Sequence, residues 1–376
     1  MLFHQSIHLK RKGFLRMNEL ETQEIERLGS IFLKQKSAGN LSFDERVDVL
    51  NRLGSLCEDN ILEITSALEE DFGFRDPDVT FMADIYPQLS SIKHALKHLS
   101  KWVKKERVSS GFMFFSGQRK YILYEPLGVV GIISAFNAPV SLSLEPAVDA
   151  ISAGNRVMIK MPEITPCVSG LLKDLVSSYF SDDEVSVICG EQEVSKSFAS
   201  LPWDKLCFTG SSETGKKILA SASIHLTPVL LELGGKSPCI VLDDANIEQA
   251  AYKICKARLL NGGQVCIAGD YVLLHERHLE EFIKFSIECV ASLYASDTDN
   301  ECFTSIINDV AFDRVVGYIN EAKSFGCRIV ECNPIDASLP DSKSRKVPLT
   351  IIVNPDESLS VSKHEAFGPI LSIYTY

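Results

Sequence analysis

Two residues in this chain have the types and the spacing that covalent catalysis requires. Cys266 lies in the run Asn-Gly-Gly-Gln-Val-Cys-Ile-Ala (261–268), and Glu232 lies 34 residues earlier in Leu-Glu-Leu-Gly-Gly-Lys-Ser-Pro (231–238). A thiolate can attack a carbonyl carbon, and a carboxylate can activate the water that releases the product. Taken singly, Cys266 is more often a buried space-filler and Glu232 a strand-end charge, because the reactivity of a cysteine depends on its surroundings.

The composition indicates a globular protein with room for two or three domains. The chain has 376 residues, of which 45% are apolar and 23% charged, with a net charge of −12. The acidic balance argues against nucleic acid or an anionic membrane as the main partner, and no apolar run has the length of a membrane span. The 11 cysteines show neither CxxC nor Cys/His clustering, which argues against a disulfide framework and a metal site. We therefore expect a cytoplasmic protein that needs no metal.

The N-terminal third reads as helices followed by a hairpin. Residues 1–24 form a basic extension without the apolar core of a signal peptide, and Met17 is an alternative start. Apolar residues recur near the helical period within 20–72, and 80–106 predicts a helix pair with a basic, solvated face. The aromatic-rich stretch 111–124 predicts a hairpin standing off the main body.

From residue 126 the pattern changes to alternating strands and helices. The predicted strands are 128–135, 155–161, 185–189, 205–209, 228–232 and 238–242. The predicted helices are 141–153, 166–180, 191–199 and 213–223. This alternation predicts a doubly wound α/β domain, with a mostly parallel sheet and ligands at the carboxyl ends of its strands. After the fourth strand, Gly210 lets the backbone turn and Ser211 can cap a helix whose N-terminus attracts a phosphate.

Residues 250–376 carry a second α/β pattern. Its predicted strands are 270–274, 328–331 and 348–353, with helices near 250–259, 276–294 and 309–325 and a polar loop at 333–346. The final run, 369–376, predicts a strand without a turn or polar tail after it. We expect the neighbours of this strand to lie beyond Tyr376, which would leave its backbone groups unpaired.

Several segments, in order from about residue 25, resemble the aldehyde dehydrogenase superfamily. Those that carry the resemblance include Glu125-Pro126-Leu127-Gly128-Val129-Val130-Gly131, Phe208-Thr209-Gly210-Ser211, Leu231 to Pro238, Gly263 to Ala268 and Glu365-Ala366-Phe367-Gly368-Pro369. The chain is most similar to the class 3-like branch and, within it, to bacterial coniferyl aldehyde dehydrogenases. The resemblance implies the following domains: an NAD(P)-binding domain (25–106 and 126–232), an oligomerisation hairpin (107–125) and a catalytic α/β domain (233–376), truncated at its C-terminus.

The resemblance also implies the chemistry. Cys266 would attack the aldehyde carbon to form a thiohemiacetal, hydride transfer to the nicotinamide would leave a thioester, and Glu232 would activate the water that hydrolyses it. Asn137 matches a side-chain amide that binds the oxyanion together with the backbone N–H of Cys266. Without the resemblance, Asn137 is better explained as a turn residue before Pro139.

The cofactor residues follow from the same resemblance. Lys160 and Glu163 match the pair that binds the adenosine ribose, and the carboxylate would repel a 2′-phosphate. NAD is therefore favoured, although the class 3-like branch often accepts NADP as well. Glu365 and Phe367 match the residues that hold the nicotinamide ribose and ring, with core packing as the alternative for Phe367. The predicted phosphate-binding residues are Gly210, Ser211 and Gly215.

Three features depart from the family pattern. Ala135-Phe136-Asn137-Ala138-Pro139 replaces Pro-Trp-Asn-aromatic-Pro, which alters the aromatic wall of the substrate tunnel. Lys160-Met161-Pro162-Glu163 replaces Lys-Pro-Ser-Glu and keeps both charged ends. The family also continues beyond Tyr376, so the expected homodimer would lack a C-terminal strand.

The sequence thus predicts an NAD(P)-dependent oxidation of a small-molecule aldehyde to the carboxylic acid, with an aromatic, coniferyl-aldehyde-like substrate. One alternative is an inactive or degenerate fragment of such an enzyme. Another is an acyl-transferring relative, against which the complete Glu232 signature argues, because acyl transfer has less need of a water-activating carboxylate.

Overall fold

The computed structural model describes the backbone of residues 2–294, 303–333 and 339–376, and the side chains of these residues apart from 2–18, 113, 114, 116 and 294. The helices are α1 (Leu2–Ala38), α2 (Phe43–Asp59), α3 (Ile61–Phe72), α4 (Pro77–Thr80), α5 (Tyr86–Trp102), α6 (Ser141–Ser152), α7 (Pro166–Tyr179), α8 (Gln192–Ala199), α9 (Ser212–Ser223), α10 (Ile247–Leu259), α11 (Leu279–Tyr294), α12 (Asp309–Ser324) and α13 (Ser360–Lys363). The strands are β1 (Glu106–Val108), β2 (Lys120–Ile122), β3 (Val129–Ile133), β4 (Arg156–Lys160), β5 (Val185–Ile188), β6 (Lys205–Gly210), β7 (Val229–Leu233), β8 (Pro238–Val241), β9 (Tyr271–Leu274), β10 (Arg328–Cys332), β11 (Leu349–Val353) and β12 (Ile370–Thr375).

The chain divides into two compact units. The first comprises Met1–Ile64 and Met82–Glu232, and the second comprises Thr65–Phe81 and Leu233–Tyr376. Within the described residues, no helix combines the length and the apolar character needed to cross a bilayer. The assignment of functions to domains remains a prediction.

The first unit contains the predicted doubly wound sheet. Its strand order is β5-β4-β3-β6-β7, and the pairs β3–β4, β3–β6 and β4–β5 are parallel. Every residue of β3, β4 and β5 is buried, as expected when helices cover both faces of a parallel sheet. The chain order reverses between β3 and β6, and the carboxyl ends of these two strands flank the crevice in which such sheets bind ligands.

The second unit contains a mixed sheet with the strand order β10-β11-β12-β9-β8. β10 and β11 are antiparallel, whereas β12 is parallel to both β11 and β9, and β8 is parallel to β9. Apolar clusters pack on both faces: Ile351 and Phe282 belong to one, and Ile352 and Phe312 to the other. The alternating side chains of β11 therefore tie α11 to one face of the sheet and α12 to the other.

The final strand corrects one expectation from the sequence. β12 was expected to lack neighbours, but it lies inside the sheet, paired with β11 from Thr350↔Ile370 to Val353↔Ile373 and with β9 from Ser372↔Tyr271 to Thr375↔Leu274. The expectation was wrong because neighbours in a parallel sheet come from crossovers, so the preceding strand β11 and the much earlier strand β9 flank the last one.

The region before β3 corrects two further expectations. Residues 80–106 form a π-helical turn (Phe81–Ile85) followed by the single long helix α5 rather than a helix pair. The predicted hairpin exists, but its strands are β1 and β2, paired from Glu106↔Ile122 to Val108↔Lys120. The aromatic stretch Gly111–Ser116 is a 3₁₀ turn, because Gly111 and Gly117 adopt positive φ angles of 54° and 83° that interrupt extended backbone. Residues 334–338 of the predicted loop lie outside the described residues.

Candidate active site

Three predicted site residues of the first unit, one catalytic and two cofactor-binding, lie at or just after the carboxyl ends of strands in its sheet. Lys160 is the last residue of β4, Gly210 is the last residue of β6, and Asn137 lies in the turn after β3. Because parallel strands end at the same edge of a sheet, these three positions share the edge at which ligands are expected.

Lys160 and Glu163, the two residues predicted to bind the adenosine ribose, form an ion pair with each other. The Lys160 side chain is only 1% exposed, and its Nζ lies 3.7 Å from Glu163 Oε2 and donates to the Met161 carbonyl at 2.6 Å. Burial lowers the pKa of Lys160, and the Glu163 charge opposes that shift. Glu163 is 40% exposed, so its carboxylate has room to accept hydrogen bonds from a ligand.

Ser211 is the N-cap of α9, as predicted. Its hydroxyl oxygen accepts a hydrogen bond from the Thr214 backbone N–H at 3.3 Å, and Gly215 is buried in the first turn of the helix. Gly210 has a close-packed Cα, because an added Cβ would lie 2.6 Å from the ring of Phe208. The first turn of α9 therefore points its free backbone N–H groups toward the edge where β6 ends.

Asn137 is buried in the turn between β3 and α6. A residue that the sequence analysis missed organises the end of this turn. Asp84, fully buried in the π-helical turn, accepts hydrogen bonds from the backbone N–H groups of Val140 and Ser141 at 3.0 and 3.3 Å. Gln88 adds a bond from Nε2 to the hydroxyl of Ser141 at 2.8 Å. The start of α6 is thus capped from more than 50 residues away in the chain, so no local signal could have revealed the cap.

Glu232 lies near the carboxyl end of β7, and its side chain is exposed. The strand alternates between half-buried and exposed residues, and Glu232 belongs to the exposed set together with Leu230. An exposed carboxylate remains in contact with water, which is the reactant that a general base must activate.

Cys266 follows a backbone turn of unusual geometry. Asn261, Gly262 and Gly263 all adopt left-handed φ angles, of 52°, 62° and 74°. A Cβ on Gly262 would lie 2.8 Å from the Thr304 carbonyl oxygen, and one on Gly263 would lie 2.5 Å from the Gly368 carbonyl oxygen. Glycine is therefore required by both conformation and space, which accounts for the paired glycines before the cysteine.

Gln264 holds the loop between this turn and Cys266 in place, and the sequence analysis did not identify it. The side chain is fully buried. Its Nε2 donates to the carbonyls of Asn261 and Ser305, both at 3.1 Å, and its Oε1 accepts the Ile307 N–H at 3.0 Å. A polar side chain two residues before a candidate nucleophile was the available signal. These bonds hold the loop firmly while leaving Cys266 exposed.

The remaining cysteines differ from Cys266 in their surroundings. Among the cysteines in the described parts of the chain, Cys266 alone is exposed. Burial raises the pKa values of Cys57, Cys255 and Cys332 to about 12, which keeps these thiols protonated and unreactive. Of the described thiols, Cys266 is the one that solvent and a substrate reach most readily.

Glu365 and Phe367 lie on the loop before β12, and Cys266 lies on the loop before β9. Since β12 and β9 are parallel neighbours, both loops approach the same, amino-terminal edge of the second sheet. Gly234 makes room for Glu365, because a Cβ at Gly234 would collide with the Glu365 carboxylate. Burial raises the pKa of Glu365, and a hydrogen bond from the Gly235 backbone N–H opposes that shift.

Phe367 is held in a conformation that costs energy. Its φ angle is +42°, in the left-handed region that bulky residues rarely adopt. Such a conformation costs a non-glycine residue about 1–2 kcal/mol, so the surroundings must enforce it. Arg314 contributes by donating to the carbonyls of Ala366 at 2.6 Å and Phe367 at 3.3 Å.

Asp270 is a further residue that the sequence analysis missed. Its side chain is 2% exposed and forms ion pairs with Lys236 and, at 3.3 Å, with Arg258. Burial lowers the pKa of Arg258, and the charges of Asp270 and Glu365 oppose that shift. An acidic residue directly before an apolar strand was a weak signal, because its partners lie on three different segments.

Comparison with known proteins places this chain in a family. Residues 24–376 match the aldehyde dehydrogenase family. The chain is 39% identical to a probable coniferyl aldehyde dehydrogenase of Pseudomonas aeruginosa over 358 residues, which are 94% of this chain and 74% of the relative. It is 32% identical to the dimeric NADP-preferring aldehyde dehydrogenase of Mus musculus over 329 residues, which cover 87% of this chain and 70% of the relative.

A solved structure agrees with these similarities. The substrate-bound state of Staphylococcus aureus AldH superimposes with a TM-score of 0.86 at 32% identity, covering 93% of this chain and 75% of that one. The chain therefore belongs to the aldehyde dehydrogenase family and is an oxidoreductase. The predicted α/β fold with parallel sheets is confirmed.

Proposed function

We propose that this chain oxidises an aldehyde to the carboxylic acid with NAD(P), using Cys266 as the nucleophile. The observation that carries this proposal is the exposure of Cys266 on a loop that Gln264 and the left-handed turn at Asn261 hold in place. A nucleophile needs access to its substrate and a fixed position, and the buried cysteines of the described chain lack that access.

The proposed reaction has two halves. Cys266 Sγ adds to the aldehyde carbon, and the resulting oxyanion is stabilised by the Asn137 amide and the backbone N–H of Cys266. The loss of hydride converts this thiohemiacetal into a thioester. Glu232 then takes a proton from water, which attacks the thioester carbon and releases the carboxylate and the free thiol. Removal of one oxyanion donor is expected to raise the barrier by about 3 kcal/mol.

The residues of this chain fit a dinucleotide cofactor. The α9 N-terminus offers N–H groups to a phosphate, and the exposed carboxylate of Glu163 offers an acceptor to ribose hydroxyls, with the buried Lys160 ammonium 3.7 Å from it. Glu365 and Phe367 would hold the nicotinamide end. When bound, NAD(P) supplies the acceptor for the hydride. The negative charge of Glu163 favours NAD, while the name of the mouse relative shows that NADP preference also occurs among similar proteins.

The substrate and the assembly are proposed from the relatives. A coniferyl-aldehyde-like aromatic aldehyde is the proposed substrate, because the name of the Pseudomonas aeruginosa relative specifies that aldehyde. A homodimer is proposed because the mouse relative is named as dimeric and the hairpin of this chain exposes Phe112, Phe115 and Tyr121. Apolar side chains on a short hairpin are suited to contact with a second copy.

NADH formation tests the proposal directly. The chain would be incubated with NAD and a panel of aromatic and aliphatic aldehydes, without coenzyme A or phosphate, and absorbance at the NADH band followed. Turnover that depends on aldehyde supports the proposal. Turnover that appears only with an added acyl acceptor would favour acyl transfer, and no turnover from a folded chain would favour an inactive fragment.

A further inference from the structure

The loop that carries Glu365 and Phe367 is held from two sides at a single residue. The Ala366 N–H donates to Asp270 Oδ1 at 2.9 Å, and the Ala366 carbonyl accepts from Arg314 at 2.6 Å. Ala366 is 1% exposed, so neither backbone group has water as an alternative partner. We call these two hydrogen bonds, from the Ala366 N–H to Asp270 and from Arg314 to the Ala366 carbonyl, the clamp. Ala366 lies between Glu365 and Phe367, the two residues proposed to bind the nicotinamide end of the cofactor.

Asp270 also reaches this loop through Lys236. The Lys236 ammonium pairs with Asp270 Oδ2 and donates to the carbonyls of Val361 at 2.8 Å and His364 at 3.3 Å. The two carboxylate oxygens of Asp270 therefore act on the same segment, 361–366, one directly and the other through a lysine. Arg258, which lies on α10, forms an ion pair with Asp270 and so compensates its buried negative charge.

The conformation of Phe367 shows why such a clamp is needed. A phenylalanine at a φ of +42° relaxes to a negative φ unless its neighbours prevent it. The Asp270 bond holds the peptide group before Ala366, and the Arg314 bond holds the peptide group between Ala366 and Phe367. Both groups directly precede the φ angle of Phe367. We infer that Asp270 is a positioning residue for the cofactor: by holding the Ala366 N–H and Lys236, it keeps Glu365 and Phe367 in their binding geometry. This inference rests on the proposed function.

The test compares four variants with the parent chain. Asp270→Asn keeps the size of the side chain, but its one oxygen can take the place of only Oδ1 or Oδ2, so either the Ala366 N–H or the Lys236 ammonium faces an amide NH2 group instead of an acceptor. Asp270→Ala removes both acceptors. Lys236→Met leaves the direct bond to Ala366 available. Asp243→Asn is the matched control, because it removes a carboxylate of the same unit whose ion pair with Arg277 is at the surface, with both side chains at least 50% exposed.

The rate of amide hydrogen exchange in the peptide that covers residues 361–369 measures how firmly the clamp holds this loop, and the measurement needs no cofactor. We expect Asp270→Asn to speed exchange of this peptide at least tenfold and Asp270→Ala to speed it further, while Asp243→Asn leaves it unchanged. Unchanged exchange in both Asp270 variants would overturn the clamp. If Asp270→Ala does not unfold cooperatively, Asp270→Asn decides the result, since it retains one acceptor and the native volume.

The affinity for NAD tests whether Asp270 positions the residues proposed to bind the cofactor. We expect Asp270→Asn to raise the dissociation constant and the KM for NAD at least tenfold, equivalent to about 1.4 kcal/mol. At saturating NAD, kcat should stay within threefold of the parent, and the rate of Cys266 alkylation within twofold, because the nucleophile loop has its own supports. A generally loosened fold would change all of these quantities together and would overturn the inference.

Two further outcomes separate the inference from its premise. We expect a smaller loss of NAD affinity in Lys236→Met than in Asp270→Asn, because the direct bond to Ala366 remains; an equal loss would show that Asp270 acts on the loop only through Lys236, which contradicts the direct clamp. A parent chain that binds no NAD would refute the proposed function, and exchange of residues 361–369 would still decide whether Asp270 holds the loop.

Discussion

The sharpest prediction concerns the selective reactivity of Cys266 toward an alkylating reagent. Cys57, Cys255 and Cys332 have pKa values of about 12, so roughly one in ten thousand of these thiols is ionised at pH 8. A thiol with the ordinary pKa of about 8.5 is about one quarter ionised at that pH. The raised pKa alone therefore slows alkylation of these three buried thiols roughly two-thousandfold relative to an ordinary thiol, before access is considered.

Access enlarges this difference. The three buried side chains are each at most 1% exposed, so iodoacetamide reaches them only after local or global opening of the structure. We expect Cys266 to be alkylated at least a thousandfold faster than Cys57, Cys255 and Cys332 in the folded chain. Prior incubation with a slowly turned over aldehyde should protect Cys266 and leave the other rates unchanged.

The assay is alkylation at pH 8 followed by peptide mapping with mass spectrometry, with aldehyde-dependent NADH formation measured on the same samples. Cys302 lies outside the described residues, so a Cys302→Ser background removes its contribution. Loss of turnover should follow the labelling of Cys266 one for one, and Cys266→Ala should abolish turnover with NAD affinity nearly intact. Turnover that survives complete labelling of Cys266, or a Cys266→Ala enzyme that keeps most of its rate, would refute the assignment.

Three other substitutions test separate parts of the reasoning. Glu232→Gln should give a burst of NADH followed by a slow steady state in stopped-flow measurements, because only hydrolysis needs the base; equal loss of both phases would place Glu232 elsewhere. Parent enzyme should bind NAD more tightly than NADP, and Glu163→Gln should narrow the gap in titrations with both cofactors; tighter NADP binding in the parent would contradict the ribose assignment. Gly263→Ala should lower the free energy of unfolding by about 2 kcal/mol or more, because it adds a backbone clash to the cost of a left-handed alanine. Gly326→Ala is the control, because Gly326 has a φ of 87° but no atom within 4 Å of the added Cβ. Equal losses of stability in thermal unfolding of the two variants would disprove the clash.

The features that the sequence predicted well are those encoded by neighbouring residues. β3 to β6 fall within a residue or two of their predicted limits, because each contains a short, mainly apolar run between segments of helical or turn character. The cap at Ser211 was predicted because the serine precedes its own helix. The residues of the candidate site were found through motif resemblance, and their roles remain predictions.

The features that the sequence did not predict depend on distant partners. Asp84 caps a helix that begins at Ser141, and Asp270 bonds to residues 12, 34 and 96 positions away. The left-handed turn at 261–263 uses residue types that tolerate a positive φ, but the close approach of Thr304 to Gly262 and of Gly368 to Gly263 depends on distant segments. The hairpin strands β1 and β2 lie within a residue of the predicted range 107–125, but the aromatic stretch Gly111–Ser116 between them is a 3₁₀ turn, which the strand preference of aromatic residues did not indicate.

The interior position of β12 has a consequence for folding kinetics. β9 and β8 form one half of the second sheet and β11 and β10 the other, and β12 joins the two halves by pairing with β9 across about 100 residues of chain. Pairings over such sequence separations form late, because the entropy of closing the loop must be overcome first. The loop of Glu365 and Phe367 precedes β12 directly, and the loop of Cys266 precedes β9. Both loops should therefore gain their final geometry in the last, slowest phase of refolding. The protection of Cys255 and Cys332, which are buried in an apolar cluster on this sheet, from a pulse of alkylating reagent during refolding would time its closure.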